Sequence, residues 1–594
     1  MNLLVDDYVR TGGLPELKLL AQQGDARAAL LLGFVYNLGD RGTGFELNRE
    51  EARKLYQKAV EAGLPRAINA LGAMYQEGQG GLTRNIPEAA RLYQIAADKG
   101  NALGQWHLAE LYFGGAGGLP QDQAKAATYF KMAAEQGYAA ARSSLGSMYR
   151  LGLGGLPKNP AEAYRLFALA TDQGDPGGQY YLGLMHENGE AGLKQDVQAA
   201  ARLFGLAADQ GHSWAQLELG WLNETGLAGF PVNQAEAFRL YSLAAEQGYS
   251  LGQNNLGGMY RLGKGTAVNL AEAYRFFKLA ADQGLPLAQN NLGVLYQHGL
   301  GVSANAVEAC RLFKQASDAG LALGKANLGY CYEVGLGGTA KDLIQAAQLY
   351  KLASDMQLPV GQARYGWLVM KGLGGIAANP AEALRLWKIA AEKGDATGQY
   401  YLGLCYQSGK CGEPVNMPEA VRLLRLAADQ GLAAAMNDLA IAYQTGQGVS
   451  VDQAEACRLY KAAADQNLSN ARVGLAGCYE QGLGGLPTNL AEAYKLYQQA
   501  ADQGLPAGQS RAATYWLNGY GVVQPNPTEA GRLWRLAADS GDVWGQYNLA
   551  ACNEFGNCGF PANRKEAIRY YRLAAAQGTI GDAKAALQRL GVSP

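Results

Sequence analysis

The chain has 594 residues, of which 51 are basic and 52 acidic, for a formal charge of −1. That balance gives no electrostatic case for nucleic acid or an anionic membrane surface as partner. No run of about 18 apolar residues occurs that would cross a membrane, and the 80 glycines follow no collagen period.

The opening residues, Met1-Asn-Leu-Leu-Val-Asp-Asp, lack the basic and apolar regions of a secretory signal. As numbered, the chain therefore reads as cytoplasmic; paired cysteines or a trimmed signal would place it in the periplasm or outside the cell. Residues 1–23 do not fill a repeat and read as an N-terminal cap. Residues 3–10 predict a short helix over the first apolar face, and residues 15–24 the tail of a second helix.

From Gly24 a closing glycine recurs at Gly63, Gly100, Gly137, Gly174, Gly211, Gly248, Gly284, Gly320, Gly394, Gly431, Gly504, Gly541 and Gly578. Gln357 and Asn467 fill the two missing places, and successive spacings are 39 once, 36 three times and 37 eleven times. A period of this length kept from end to end means a solenoid rather than a set of globular domains.

Each repeat reads alike. Small or apolar residues fall at +4, +8, +9 and +12 after the glycine, as with Gly252, Leu256, Gly257 and Tyr260 after Gly248. That is helical spacing with one apolar stripe. A glycine inside a helix costs about 1 kcal/mol against alanine. Their fixed recurrence at +4 and +9 therefore predicts close approach by a neighbouring helix. A Gly-rich turn such as Gly152-Leu-Gly-Gly155 predicts positive φ.

The second helix opens with Asn159-Pro-Ala-Glu162, Asn379-Pro-Ala-Glu382 or Asn526-Pro-Thr-Glu529: a cap, a proline at N1 and a glutamate placed for a capping box. Asn85/Glu88 and Asn269/Glu272 repeat the pattern without that proline. The Ala-Ala-Asp-Gln-Gly ending supplies a small contact surface and a glycine stop. The expectation is an all-α chain of antiparallel helix pairs, the helices starting near +3 and near +21 or +22. Fifteen repeats fit over residues 24–578, and residues 579–594 hold a C-terminal capping helix over 582–590.

The pattern Ala/Gly-Gln-x-x-Leu-Gly-x-x-Tyr-x-x-Gly-x-Gly, followed by Glu-Ala-x-x-Leu/Phe-Tyr/Phe-x-x-Ala-Ala-x-Gln-Gly, closely resembles the Sel1-like repeat. That family is related to the tetratricopeptide repeat, and the resemblance covers about residues 24–590. It implies a right-handed α–α superhelix with first helices on the concave side, acting as a non-enzymatic scaffold or adaptor for protein segments. Some cysteine-rich bacterial members are described as penicillin-binding or β-lactamase-like. The resemblance thus also implies an alternative, an envelope-associated or secreted hydrolase directed at peptidoglycan or β-lactams.

With first helices lining a groove, the exposed phases are +3, +6, +10 and +13. At +6 stand Trp106, Tyr180, Asn254, Asn290, Tyr400, Asn437 and Tyr547; at +10 stand Trp221 and Trp367. Aromatics offer contact area at small entropic cost, and asparagine can hold a peptide backbone. These nine form the expected ligand-binding set, with packing against the adjacent helix as the alternative for each.

Nothing predicts a catalytic residue, cofactor or metal. The Gly-rich turns lack the Lys-Ser/Thr of a phosphate loop. The histidines His107, His186, His212 and His298 share no ligand spacing, and His186 holds a phase usually given to tyrosine, so it reads as core. Cys310, Cys331, Cys405 and Cys411 recur 147 residues later as Cys457, Cys478, Cys552 and Cys558, the mark of a duplicated four-repeat block. Four of them hold the +11 phase of Met148, Met259 and Leu295 and read as small core residues. Pairing of Cys310 with Cys331, Cys457 with Cys478, Cys405 with Cys411 and Cys552 with Cys558 gives disulfides instead. Both readings stand from sequence; zinc is disfavoured by the Cys-x5-Cys spacing.

Overall fold

The computed structural model describes residues 13–39, 46–520, 523–578 and 581–593; the helix expected over 3–10 lies outside them. Among the described residues the chain is helical, with short turns and no strand. It divides into two compact units, an N-terminal one of residues 1–288 with 300–302 and a C-terminal one of residues 289–299 with 303–594.

Within each unit, helical hairpins stack in sequence order. From Ala26–Leu38 to Arg564–Ala576 the α-helices have 13 residues, except Pro160–Thr171 with 12. The terminal helices Leu14–Gln22 and Gly581–Arg589 have 9 each. From Leu14–Gln22 to Leu270–Asp282, and from Ala306–Asp318 to Gly581–Arg589, each α-helix packs on its successor, and several successive first helices also touch, as Ala139–Leu151 does Pro176–Asn188 and Pro359–Lys371 does Ala396–Ser408. No two successive second helices pack comparably among the described residues. First helices therefore lie on the inner side of each stack.

The helix starts differ by a residue from expectation. Gly248 turns the chain at φ 85, so Tyr249 directly after it is the extended N-cap and the helix Ser250–Leu262 begins at +2. After the first repeat, second helices begin at +22 or +23, as Leu270 and Pro160 do. Gln357 and Asn467 adopt the same turn at φ 61 and 67 without being glycine. What repeats is the turn, and the residue type follows from it.

At the second helices, Asn159, Asn269, Asn379 and Asn526 each accept the N–H three residues on, at 3.0–3.1 Å. The reciprocal half of the capping box is absent. Glu162, Glu272, Glu382 and Glu529 instead pair with Arg165, Arg275, Arg385 and Arg532 at 2.6–2.7 Å. A guanidinium fork gives a carboxylate two charged donors where the backbone gives one neutral donor. Hydrogen bonds from these arginines hold Glu162, Glu382 and Glu529 below the usual carboxyl pKa.

The recurrent helical glycines answer to two different neighbours. A Cβ on Gly257 would stand 2.9 Å from the Phe277 ring of the same repeat, and one on Gly252 would stand 2.8 Å from the Ala244 Cβ of the preceding second helix. The rings at the Phe277 phase, such as Tyr93, Phe204, Tyr241 and Tyr350, are fully buried. Leu256 is buried beside them, packed with Leu217, Tyr241 and Met259. Leu256→Ala is expected to cost about 2–5 kcal/mol. Stability in a repeat stack is close to a sum over neighbours, so hydrogen exchange should rise around that repeat; a uniform rise across the N-terminal unit would contradict this packing.

Candidate binding face

Helical geometry sends +3 and +10 to the same face two turns apart, with +6 between them. The structure corrects the expected exposure at +6. Asn254 and Asn290 are each only 4% exposed, and Tyr180 and Asn437 are also buried. Trp106, Tyr400, Tyr547 and the +10 residue Trp367 are half-buried. The cause is the close spacing of successive first helices, which covers +6 and lets it bond to a neighbour. The Asn290 Oδ1 accepts from the next repeat's Asn327 at 2.8 Å, the Tyr400 hydroxyl donates to Asp438 at 3.1 Å, and the Trp106 indole to Ser144 at 3.3 Å. Asn254 donates to Asn255 at 3.2 Å and Asn437 to Asp438 at 3.0 Å. Tyr180 lies against His212 at 4.8 Å and Tyr547 edge-on to Tyr571 at 5.6 Å. Trp367 packs on the cluster around Tyr350 and Leu368.

Exposed aromatics stand at +3 and +10 instead. Trp214 is 44% and Trp221 39% exposed, both on the helix Ser213–Thr225. Trp214 meets the exposed Tyr249 edge-on at 6.2 Å. Trp544, at the same +3 phase, is exposed in the C-terminal unit. Sequence reasoning selected Trp221 but missed Trp214 and Trp544; the signal that finds them is the seven-residue step between the two phases. Two half-buried carboxyls, Glu218 and Glu187, stand on this first helix and the preceding one. Burial raises the pKa of Glu218, helped by the neighbouring charge of Glu187, and burial also raises Glu187.

A second feature absent from the sequence reading is a row of glutamine pairs. Gln105, Gln179, Gln216 and Gln253 at +5 accept from Gln136, Gln210, Gln247 and Gln283 at 2.7–2.9 Å. In the C-terminal unit Gln430 and Gln577 serve Gln399 and Gln546 at 2.8 and 3.0 Å. Where Ala319, Lys393 and Ser540 replace the donor, the Oε1 atoms of Gln289, Gln362 and Gln509 have no partner. The signal was there: glutamines 31 apart in repeat after repeat.

All eight cysteines pair, and all lie in the C-terminal unit. Cys310–Cys331 and Cys457–Cys478, each with Cα atoms 6.1 Å apart, tie a second helix to the next first helix. Cys405–Cys411 and Cys552–Cys558, at 5.4 and 5.6 Å, tie a first helix to its own turn. These separations fit disulfide geometry. No His/Cys/Asp/Glu group able to hold a metal occurs among the described residues.

Three of the histidines and two serines make specific contacts within the stack. His107 stacks on Tyr93 at 4.6 Å, and burial pushes its pKa down to about 4. His212 accepts the Ala215 N–H at 3.2 Å through Nδ1, and His186 lies half-buried, edge-on to Tyr164 at 6.5 Å. The Ser143 hydroxyl donates to the capping carboxylate Asp175 at 2.6 Å, and Ser510 likewise to Asp542.

Tandem hairpins of nearly equal length, stacked through glycine, alanine and in almost every repeat one buried ring, define an α-helical repeat solenoid. The Sel1 repeat model matches fifteen stretches running from 26–64 to 545–579, and the chain belongs to the Sel1 repeat family. A protective antigen of uropathogenic Escherichia coli with an SLR fold is 29% identical, with TM-score 0.44, over 78% of this chain and 97% of its own. A Sel1 repeat protein from Oxalobacter formigenes is 29% identical, with TM-score 0.31, over 52% of this chain and 87% of its own. Yeast Tom70 is 15% identical, with TM-score 0.26, over 89% of this chain and 99% of its own. No curated protein matches the chain.

Ser540→Gln should give Gln509 its missing donor and raise the stability of the C-terminal unit by about 1 kcal/mol. The denaturation midpoint measures this; an unchanged or lower midpoint would mean that water already serves the Gln509 oxygen.

Proposed function

We propose that this chain is a non-enzymatic scaffold or adaptor that holds protein segments along the inner, first-helix face of its stacks. The observation that carries the reading is the pair Trp214 and Trp221, both open to solvent on one helix face, among +6 residues already bonded to their neighbours. Large rigid aromatics supply most of the energy at many interfaces. Trp544 is a further anchor in the C-terminal unit. On this reading residues 24–578 are the binding repeats, and residues 1–23 and 579–594 are caps, a division supported by the short helices Leu14–Gln22 and Gly581–Arg589. The hydrolase alternative would need a serine beside a stronger base than the carboxylates of Glu110 and Asp175, which Ser144 and Ser143 meet at 3.2 and 2.6 Å.

The test is a binding titration against a captured partner, with thermal melts alongside. Trp214→Ala and Trp221→Ala should each cost at least about 1–2 kcal/mol of affinity with little change in melting. Asn290→Ala and Tyr400→Ala should lower melting, because they cut bonds between repeats. Unchanged affinity in both tryptophan variants, with loss on substituting outward second-helix residues, would end the inner-face reading.

The cysteine pairs support an oxidising compartment, periplasmic or extracellular, over the cytoplasmic expectation. No helix among the described residues is long and apolar enough to cross a membrane. Closing a loop of this size stabilises by about 3 kcal/mol in the chain-entropy account. A strong thiol reductant should therefore lower the unfolding midpoint of the C-terminal unit and leave the N-terminal unit, which has no cysteine, unchanged. Mass labelling with a thiol reagent should add nothing before reduction and 8 labels after it; labels on the native protein would count against the pairing.

A further inference from the structure

A cavity of about 940 Å³ opens on the first repeats of the N-terminal unit, against the helices Ala26–Leu38, Pro65–Glu77 and Ala102–Gly114. Leu30, Phe34, Met74 and Tyr138 give it apolar walls. Inside it the bonding pattern of the other repeats breaks down. Asn69 stands at the +6 phase, where Asn290 and Asn437 are hydrogen-bonded to neighbours. Asn69 is 3% exposed, lines the cavity, and its Oδ1 has no partner. The Tyr56 hydroxyl is equally buried and unpaired, whereas the equivalent Tyr93, Tyr241, Tyr350, Tyr497 and Tyr571 hydroxyls each donate to a glutamine or glutamate one helix away. Asn37 lines the same cavity and also has an unpaired Oδ1.

Buried unpaired polar groups are costly unless a ligand satisfies them; the amide oxygens of Asn69 and Asn37 need donors, and the Tyr56 hydroxyl, whose counterparts all donate, needs an acceptor. Charge supplies the second half of the argument. Arg27, Arg66 and Lys99 line the cavity and form no ion pair among the described residues; Glu77 is the one acidic side chain lining it. His107 also lines it and is uncharged near neutral pH. A ligand that fits offers N–H donors for the amide oxygens, carboxylates for the cations and an aliphatic side chain for the walls.

We infer that this cavity binds an acidic peptide segment of a partner protein, its backbone N–H groups on Asn69 and Asn37, a backbone carbonyl on the Tyr56 hydroxyl and its carboxylates on Arg27, Arg66 and Lys99. A peptide presents a donor at every residue. A nucleic-acid phosphate backbone presents acceptors alone, which suits the cations and leaves the amide oxygens unmet. The inference rests on the scaffold reading and names the chemistry of one partner segment.

Fluorescence anisotropy of the full chain tests it with a labelled pool of acetylated heptapeptides alternating aspartate or glutamate with leucine or valine. The comparison probes are the same pool with asparagine and glutamine, and a single-stranded RNA dodecamer. The acidic pool should bind saturably and at least tenfold more tightly than the amide pool, and weaken with added salt. Arg66→Gln and Asn69→Ala should each weaken it at least tenfold. Asn69→Ala should melt no lower than the parent, because it removes an unpaired oxygen, whereas an asparagine needed for packing would melt lower. Lys158→Gln, an exposed cation that does not line the cavity, should leave this affinity unchanged, so that loss of the pocket is read separately from a general loss of positive charge and from failure of the tryptophan face. Equal affinity for the two peptide pools, parental affinity in both pocket variants, or tighter binding of the RNA would each overturn the assignment. So would tighter peptide binding by Asp6→Asn/Asp7→Asn, which would mean that the chain's own leading residues compete for the pocket.

Discussion

The fold rests on one contact: an aromatic ring of the second helix pressed against the first helix where a side chain is missing. At Gly183 the Phe204 ring comes within 2.6 Å of where a Cβ would be, and Gly220 and Gly293 receive Tyr241 and Phe313 in the same way. A fully buried ring removes much apolar surface from water, and its closeness sets the distance between the two helices of a hairpin. Larger rings need further seating. Trp387 over Gly366 donates its indole N–H to the Ala363 carbonyl at 2.9 Å. At Gly403 the ring is replaced by Leu424, and the nearest atoms retreat to 3.3–3.5 Å. The glycine there is a remnant of the repeat rather than a requirement of its own neighbour.

That contact governs what the inner face can offer. Hairpins held this tightly bring successive first helices together, which folds the +6 side chains into the seam and leaves +3 and +10 outside it. The seam is polar as well as packed: asparagines and a tyrosine–aspartate bond cross it, and paired glutamines tie each first helix to the end of its own second helix. Such bonds are strong when complete and expensive when a partner is lost. The gaps beside Gln289, Gln362 and Gln509 show where the duplicated pattern has drifted.

Much of this architecture is legible in the sequence, because its signals are local. A glycine that turns the chain, an asparagine that caps a helix and a fixed period need only a few neighbouring residues to be recognised. The direction of the +6 residues was not legible. Asn254 and Asn290 look free to hold a ligand until the separation between first helices is known, and that separation comes from contacts one repeat away. Glu162 misleads for a similar reason: the motif fits a capping box, but Arg165 on the next turn is the stronger partner. The cysteines left core packing and pairing both open, since a spacing of 21 residues says nothing about whether two side chains face each other. Asn69 stood at a flagged phase, yet only the missing neighbour around it makes it unusual.

The cysteine connectivity bears on how the chain would behave under mechanical load. A stack of hairpins pulled from its ends lengthens by releasing repeats in turn, each adding its extended contour. Cys310–Cys331 and Cys457–Cys478 each enclose a separation of 21 residues spanning the junction between two repeats. At 3.3–3.6 Å for an extended residue, each bond withholds about 70 Å of contour from extension. The N-terminal unit has no such lock. Tension on this chain would draw length first from the cysteine-free unit, while the junctions of the other stayed shut until their bonds were reduced.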